Sequence, residues 1–524
     1  MRKRVGKGRR VVEAGARRVD PTVIEAAKRH GAERLGLVLV DPHKTELRMK
    51  VVNYFGELLH GPATYGQSAA GMRALCEDIQ SAVSRMGLGG VVAGVELAGR
   101  NHRRVKRALQ RRDWPVRMIH PLATSHLRRP ASPGEKSDDM DLLAMERALR
   151  DGYGFAEAEL PPVHLELLEL SRARGELVAM ASAERCRFLE RLQELMPGYG
   201  GLFPDIWESP GPLRLLELST CPSQLRLWSE ADFRKALAGL GTAMRGDTIA
   251  RVMAWAADAP DADAPAASHR RRILLDSLGR IRRLDAEAAS YEPPLCWLLV
   301  RTRAVLLLGA QGVGVVSAAT YAAELGPVEN YLSPKHISGR AGLRPSRRQS
   351  GGSDRPDGPM PKSGNLRLRG ALMTIALGLH LHNDHFRAWA AARPGWDTKQ
   401  VWASLANRFA RISHRILAEG MPYRHPSGQG CEAVLPKLLA FASGHGLKEE
   451  EAFDLAREAV GQMPPEALPM EIAAFEDKAT MRRKLYRRRP SKELLAQIAE
   501  LLKTAAGGAK MKGNENDVGI SRVD

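Results

Sequence analysis

Glu135-Lys-Ser-Asp-Asp-Met-Asp-Leu-Leu-Ala144 is the stretch on which the reading of the whole chain turns. A helix that starts near Ser137 places Asp138 and Asp141 at i and i+3, on one face, and turns Asp139 elsewhere. Two carboxylates on one helical face repel each other and are a liability when bare. They become useful if they share a hard divalent cation such as Mg²⁺. Such a site draws further carboxylates from elsewhere in the fold, so the residues upstream have to supply them.

Upstream, Leu35-Gly-Leu-Val-Leu-Val40 is a continuous apolar run that ends in Asp41, the pattern of a buried strand. Strands follow at 47–53 and near 57–63, then an amphipathic helix over 66–87. Gly90-Val-Val-Ala-Gly-Val95 is a second buried strand and ends in Glu96. A basic helix at 100–112 and a strand at 115–120 lead to the acidic helix. The order βββαβαβα is that of an α/β RNase H-like domain. In α/β sheets chemistry gathers where strands stop and loops begin. A central first strand beside the fourth brings Asp41 and Glu96 together, with Asp138 and Asp141 presented over them. Four carboxylates so gathered can hold two Mg²⁺ (or Mn²⁺) ions, which position a phosphate and stabilise charge on the attacking and leaving oxygens. One Asp after a strand reads more simply as a polar cap; four acids in this order favour the metal.

The chain is 524 residues long, enough for several domains. Lys and Arg number 79 against 60 Asp and Glu, and the resulting net charge of +19 points to a polyanionic partner. No apolar run is long enough to span a bilayer and no amphipathic anchor stands out, which argues against a membrane. The basic N-terminus lacks the apolar core of a signal peptide. Cys76, Cys186, Cys221, Cys296 and Cys431 are far apart, which argues against a disulfide framework and a cysteine zinc site and fits a reducing, cytoplasmic setting. Residues 1–33 read as a basic flexible arm: 1–18 carry eight Lys or Arg against one Glu, and suit weak contact with nucleic acid.

Downstream of the α/β domain (34–152), residues 153–197 and about 268–289 read as long charged helices able to pair as a coiled coil. Short helices fill 198–256, and the Ala/Asp/Pro stretch 257–267 is a linker within this 153–290 region. Leu306-Leu-Leu-Gly-Ala-Gln-Gly-Val-Gly314, followed by helical Val315–Leu325, has the form of a helix-hairpin-helix, with Gly312 and Gly314 allowing close approach to a phosphate. Residues 338–369 gather glycines, arginines and Gln349-Ser-Gly-Gly352. On pattern alone this is a phosphate-binding or flexible Ser/Gly loop. The same residues suit a serine nucleophile, Ser350, whose developing charge arginines would stabilise. His380, His382 and His385 lack nearby Cys or clustered acids and read as ordinary histidines. Beyond 428 come more helices, a basic run at 482–489 that leans to phosphate contact, and a polar tail.

The two informative stretches together resemble the DEDD transposases of bacterial insertion sequences, the IS-one-ten family. Lys136-Ser-Asp138-Asp-Met-Asp141 matches that family's Lys-Thr/Ser-Asp-x-x-Asp motif, and Asp41 and Glu96 complete its tetrad. Ala341–Pro345 matches its Ala-Gly-Leu-x-Pro segment, Gln349–Gly352 its Gln-Ser-Gly-Gly, and Gly364–Arg369 its helix start. Asp41 is followed by Pro-His-Lys where the family commonly has a small residue and Lys, and the turn at 308–312 lacks the usual proline. The resemblance implies a RuvC-like N-terminal domain, a helical middle, and a mainly α serine transposase domain at 291–425. Residues 426–524, a helical basic extension, have no placed counterpart. It further implies a recombinase that excises and inserts its own element in the bacterial cytoplasm, at the nucleoid. Asp41, Glu96, Asp138 and Asp141 would bind the metal and Ser350 would form a covalent phosphoserine–DNA intermediate. Implied partners are DNA at the element ends and target, a structured non-coding guide RNA, and further copies of the chain as dimer or tetramer, with halves of one site drawn from different protomers. Two other readings remain: a RuvC-like nuclease that cuts with metal-activated water, Ser350 being structural, and a non-catalytic nucleic-acid-binding protein.

Overall fold

A strand with no polar residue until its end has to be covered on both faces, and Leu35–Pro42 (β1) is buried along its whole length. The computed structural model describes residues 20–516 apart from 100, 129–136, 158, 263, 346–347, 351–352, 356–357, 359, 362 and 478–488. Lys136 and most of the basic run 482–489 therefore lie outside the described residues. The chain forms two compact units, 1–159 and 160–524.

The first unit begins with α1 (Thr22–His30), followed by β1, β2 (Glu46–Asn53), β3 (Leu58–Gly66), α2 (Ala69–Arg85), β4 (Gly90–Glu96), α3 (His102–Gln110), β5 (Val116–Ile119), α4 (Pro121–Arg128) and α5 (Asp138–Arg150). The sheet order is β3-β2-β1-β4-β5. β1 pairs antiparallel with β2 and parallel with β4, so the first strand is central and beside the fourth. Alternate residues serve alternate faces. Val38 and Val40 of β1 pack with Val91, Ala93 and Val95 of β4 against α2 and α3. Leu35, Leu37, Leu39 and Val92 pack against Leu142, Met145, Ala148 and Leu149 of α5. Residues 22–30 are not part of a flexible arm. They are a helix whose Val23 is buried in that second layer, because it packs on the face of β1 and β4 beside α5. α4 is a further addition to the expected order; it lies before the acidic helix and packs on it.

The second unit is helical. α6 (Pro162–Leu195) is followed by α7 (Pro210–Leu218), α8 (Pro222–Arg226), α9 (Glu230–Gly239), α10 (Gly246–Asp258) and α11 (Ala264–Ser290). α11 starts inside the stretch expected as linker, its alanines being good helix formers. α6 and α11 run antiparallel along each other, since Arg174 meets Glu292 just past the end of α11 while Arg191 meets Ser277. Between these contacts Glu184 of α6 is buried, 5% exposed. It accepts hydrogen bonds from Arg187 (2.7 Å), Arg280 (2.8 Å), Arg191 (3.3 Å) and the Ser277 hydroxyl. Burial alone would raise this carboxyl, but bonds from Ser277, Arg280 and Arg187 hold it down at about 2. The helices α7–α10 cover one end of the pair with an aromatic core around Phe188, Tyr199 and Phe233.

The rest is mainly helical, and its helices pack around one large core. It comprises α12 (Glu292–Leu299), α13 (Val315–Leu325), α14 (Pro334–Arg340), a hairpin β6 (Arg348–Ser350) and β7 (Ser353–Arg355), α15 (Leu366–His382), α16 (Asp384–Ala391), α17 (Thr398–Glu419), α18 (Val434–Gly444), α19 (Glu449–Gly461), α20 (Leu468–Glu476) and α21 (Lys492–Asn516). The helices past residue 425 belong to this core, which includes Leu435, Leu455, Ile498 and Leu502. Lys437 of α18 donates to the carbonyls of Leu308 (2.8 Å), Ala310 (2.8 Å) and Val313 (3.0 Å), and so holds the glycine turn before α13. Over Gly312 in that turn the nearest atoms are backbone of Gly378 on α15, so this glycine serves the close packing of turn on helix. No described helix is long and apolar enough to cross a membrane.

Candidate active site

The carboxylates of the first unit are assembled by strand register and helix phase. Val40 of β1 lies opposite Val95 of β4, and the next residues on the two strands are Asp41 and Glu96. Both continue the face that carries Leu39 and Val92, the face that α5 covers. α5 starts on Ser137, whose hydroxyl accepts from the Met140 amide (3.3 Å), so its first turn carries Asp138, Asp139 and Asp141. Negative charge is tolerated there because free backbone N–H groups face it. Asp138 and Asp141 sit at the head of the same apolar stripe that buries Leu142 and Met145. Asp139 turns away and accepts from Arg48 of β2 (3.0 Å).

Asp41 is 3% exposed. Burial pushes its carboxyl up to about 6; the Glu96 charge adds most among its neighbours, with Asp141 and Asp138 contributing and His43 opposing. The other three expected acids therefore act on this one buried carboxyl. His43 was not among the expected ligands. It stands two residues after Asp41, so it returns to the same side of the chain, and its Nε2 lies 3.5 Å from both Asp41 and Asp138. That nitrogen is buried and has no hydrogen bond among the described residues. Ligand atoms of Asp41, His43 and Asp138 lie within 4.8 Å of one another. An oxygen-rich set with one imidazole and too much negative charge suits a divalent cation.

One feature departs from four bare acids. Arg128 of α4 pairs with Asp141, so one carboxylate of the cluster already has a counter-charge. Deeper in the same layer Glu146 of α5 is paired with Lys50 (2.7 Å) and Arg150, a satisfied structural group. The signal for His43 was present in the sequence as the Pro-His-Lys that follows Asp41. Arg128 carried none, since its partner depends on how α4 packs on α5.

Ser350 lies in the second unit, at the end of β6, paired across the hairpin with Ser353; its side chain lies outside the described residues. The base of this excursion is clamped. Gly342 has φ +64° and Gly364 φ +104°, and a Cβ on Gly364 would stand 2.8 Å from the Arg340 carbonyl and 3.0 Å from the Gly342 amide. Only glycine lets the two ends of the loop approach this closely. Arg369 donates to the carbonyls of Ala341, Pro361 and Ser363, each at 2.8 Å. Asn365 caps α15 by accepting from Arg367 and Leu368 (3.0 Å each) and donates to Glu324 (2.9 Å). Thus the glycines, Asn365 and Arg369 of the two sequence motifs hold the loop that carries Ser350 to the helical core, a role their spacing did not reveal.

Comparison with known families matches each part separately. Residues 38–197 match a family described as Transposase, the DEDD transposase of IS110, and this span holds Asp41, Glu96, Asp138 and Asp141. Residues 304–390 match the Transposase IS116/IS110/IS902 family and hold Ser350 with its clamp. No curated protein matches the chain. The mixed α/β sheet agrees with an RNase H-like DEDD domain, and families of this kind cut and rejoin DNA. The two matches together support a DEDD transposase of the IS110 family.

Proposed function

We propose that the chain is a transposase that recombines its insertion sequence with a carboxylate metal site and a serine nucleophile. The observation that supports this best is the buried Asp41, raised by burial and by three neighbouring carboxylates and faced by an unbonded imidazole nitrogen. A carboxyl in this state is costly to keep without a cation. Asp41, Glu96 and Asp138 with His43 would hold Mg²⁺ or Mn²⁺, and Asp141 would join on release from Arg128. A cation bound there would neutralise phosphate charge and stabilise the oxygens that gain it during strand transfer. In this reading Asp41 and Glu96 are fixed by the sheet, which sets the position of the site, while α5 brings Asp138 to it. The Ser350 hydroxyl attacks a DNA phosphodiester, and a phosphoserine forms as a P–O bond to sugar breaks. The clamp at Gly342 and Gly364 fixes where the serine loop starts and ends. α6 and α11 form a coiled-coil spacer, the turn before α13 a helix-hairpin-helix, and residues 34–152, 153–290 and 291–425 the metal, spacer and serine segments. The positive charge accommodates DNA and a guide RNA, and members of this assembly would be further copies of the chain.

Covalent trapping tests the reading. Protein, Mg²⁺, RNA transcribed from DNA flanking the gene and labelled DNA spanning the element junction are resolved on a denaturing gel. A protein–DNA adduct lost in both Ser350→Ala and Asp138→Ala is expected. Cleavage without an adduct that survives Ser350→Ala would leave a hydrolytic nuclease in place of the recombinase.

A further inference from the structure

Away from both motifs, α16, the turn after it and α17 gather arginines around two tryptophans, and the adjacent acid, Asp397, caps α17 by accepting from the Gln400 amide (2.7 Å). The Arg393 guanidinium lies 3.8 Å from the ring centre of Trp389 and 5.6 Å from that of Trp396. Arg408 of α17 lies 4.4 Å from the same Trp389 ring. Two guanidiniums thus share one indole. Burial lowers Arg408 below the ordinary arginine value, and Arg393 and Arg411 lower it further. Among the described residues none of these three arginines has a carboxylate partner, unlike Arg387 and Arg415 nearby, which pair with Asp384 and Glu419. Arg393 spends one donor on the Trp389 carbonyl (2.6 Å). A stacked guanidinium keeps its in-plane N–H groups free for an oxyanion. Trp396 is 44% exposed, and nothing approaches within 4 Å of a Cβ built on the neighbouring Gly395. The buried Trp389 Nε1 has no acceptor among the described residues.

We infer that Trp396 with Arg393, Arg408 and Arg411 forms a binding platform for an unpaired stretch of polynucleotide, a base stacking on Trp396 and its flanking phosphates meeting the arginines. Trp389 is the support: it holds Arg393 and Arg408 in place against their mutual repulsion. Along a duplex the base faces are already stacked on one another, so stacking on Trp396 selects single strand. Clustered arginines would bind an acidic peptide as well, but the exposed Trp396 indole beside them fits a base. Both DNA and RNA present this chemistry. The inference rests on the reading of the chain as a nucleic-acid recombinase.

The test is fluorescence anisotropy of full-length protein with labelled 20-nucleotide single strands of one mixed sequence, as DNA and as RNA, and with the DNA duplex. Trp396→Ala is expected to weaken single-strand binding about 5- to 100-fold and to leave duplex binding within about twofold. Arg408→Gln is expected to reduce the slope of log affinity against log salt by about 0.7 on single strands. Trp396→Tyr keeps a ring and is expected within about threefold of the parent, while Arg415→Gln, on the same helix but ion-paired, is unchanged. A larger Trp396→Ala loss on DNA or on RNA names the strand; equal losses mean the platform ignores the sugar. Unchanged single-strand binding in Trp396→Ala overturns the inference. Equal loss on duplex, or Trp396→Tyr as weak as Trp396→Ala, does the same. A parent protein that binds duplex but no single strand overturns the platform alone, and one that binds neither overturns the recombinase reading with it.

Discussion

Asp41→Asn puts the metal reading to a test that needs no DNA. The native carboxyl is held near 6 instead of the ordinary 3.8, by burial and then by the charges of Glu96, Asp141 and Asp138. The sign is that of a raised acid: no penalty below about pH 4, and stability lost as pH rises through 6. At pH 7.5 the ionised group costs the metal-free fold at most about 3 kcal/mol, and Asn keeps the shape without the charge. Asn must still bury a polar amide, so a net gain of about 1–2 kcal/mol is expected. That corresponds to roughly 3–8 °C in the melting of a unit of this size. Differential scanning fluorimetry in EDTA at pH 7.5 should show the first unit of Asp41→Asn melting higher than the parent, with the gap closing by pH 4. Adding Mg²⁺ should raise the parent and leave the variant unmoved. A variant that melts lower than the parent in EDTA at pH 7.5, or that gains as much from Mg²⁺, would refute the argument that Asp41 is strained for a cation. The trade of stability for a charged site is common in enzymes.

Two further outcomes follow from the second unit. Glu184→Ala should destabilise by about 2–4 kcal/mol, because three arginines lose their common buried partner, and half-exposed guanidiniums keep the cost from being larger. Since Glu184 is held at about 2, its contribution is fully present above the unfolded value near 4.5 and is lost as pH falls toward 2. The gap in urea midpoint between parent and variant should therefore be flat from pH 5 to 8 and narrow below. Gly342→Ala forces a side chain onto a φ of +64° and into the Ser363 carbonyl; a loss of about 1–3 kcal/mol is expected. If the clamp positions the serine loop, the variant should lose the covalent adduct while the Mg²⁺-dependent melting shift of the first unit is unchanged; an undiminished adduct would remove the positioning role.

What the sequence by itself determined is what depends on neighbours along the chain. The apolar runs ending in Asp41 and Glu96 report buried strands, the Ser-Asp-Asp-Met-Asp start reports a capped helix with two acids on one face, and Asp139 could be turned outward by phase alone. With the strand order these are enough to gather four acids at one end of a sheet. Tertiary structure decided everything that pairs residues far apart. Arg128 reaches Asp141 because α4 folds back on α5, and His43 meets Asp138 only when that helix has docked. Gly342 and Gly364 read separately as turn residues, and their shared close contact exists only because α14 and α15 bring the loop ends together. Thr22–His30 buries Val23 over the central strands β1 and β4 beside α5, a contact that only the fold supplies. The stack of Arg393 and Arg408 on Trp389 crosses from one helix to the next. Periodicity records which face a side chain takes; what it meets there is set by the packing of elements, whose register and crossing no local pattern encodes.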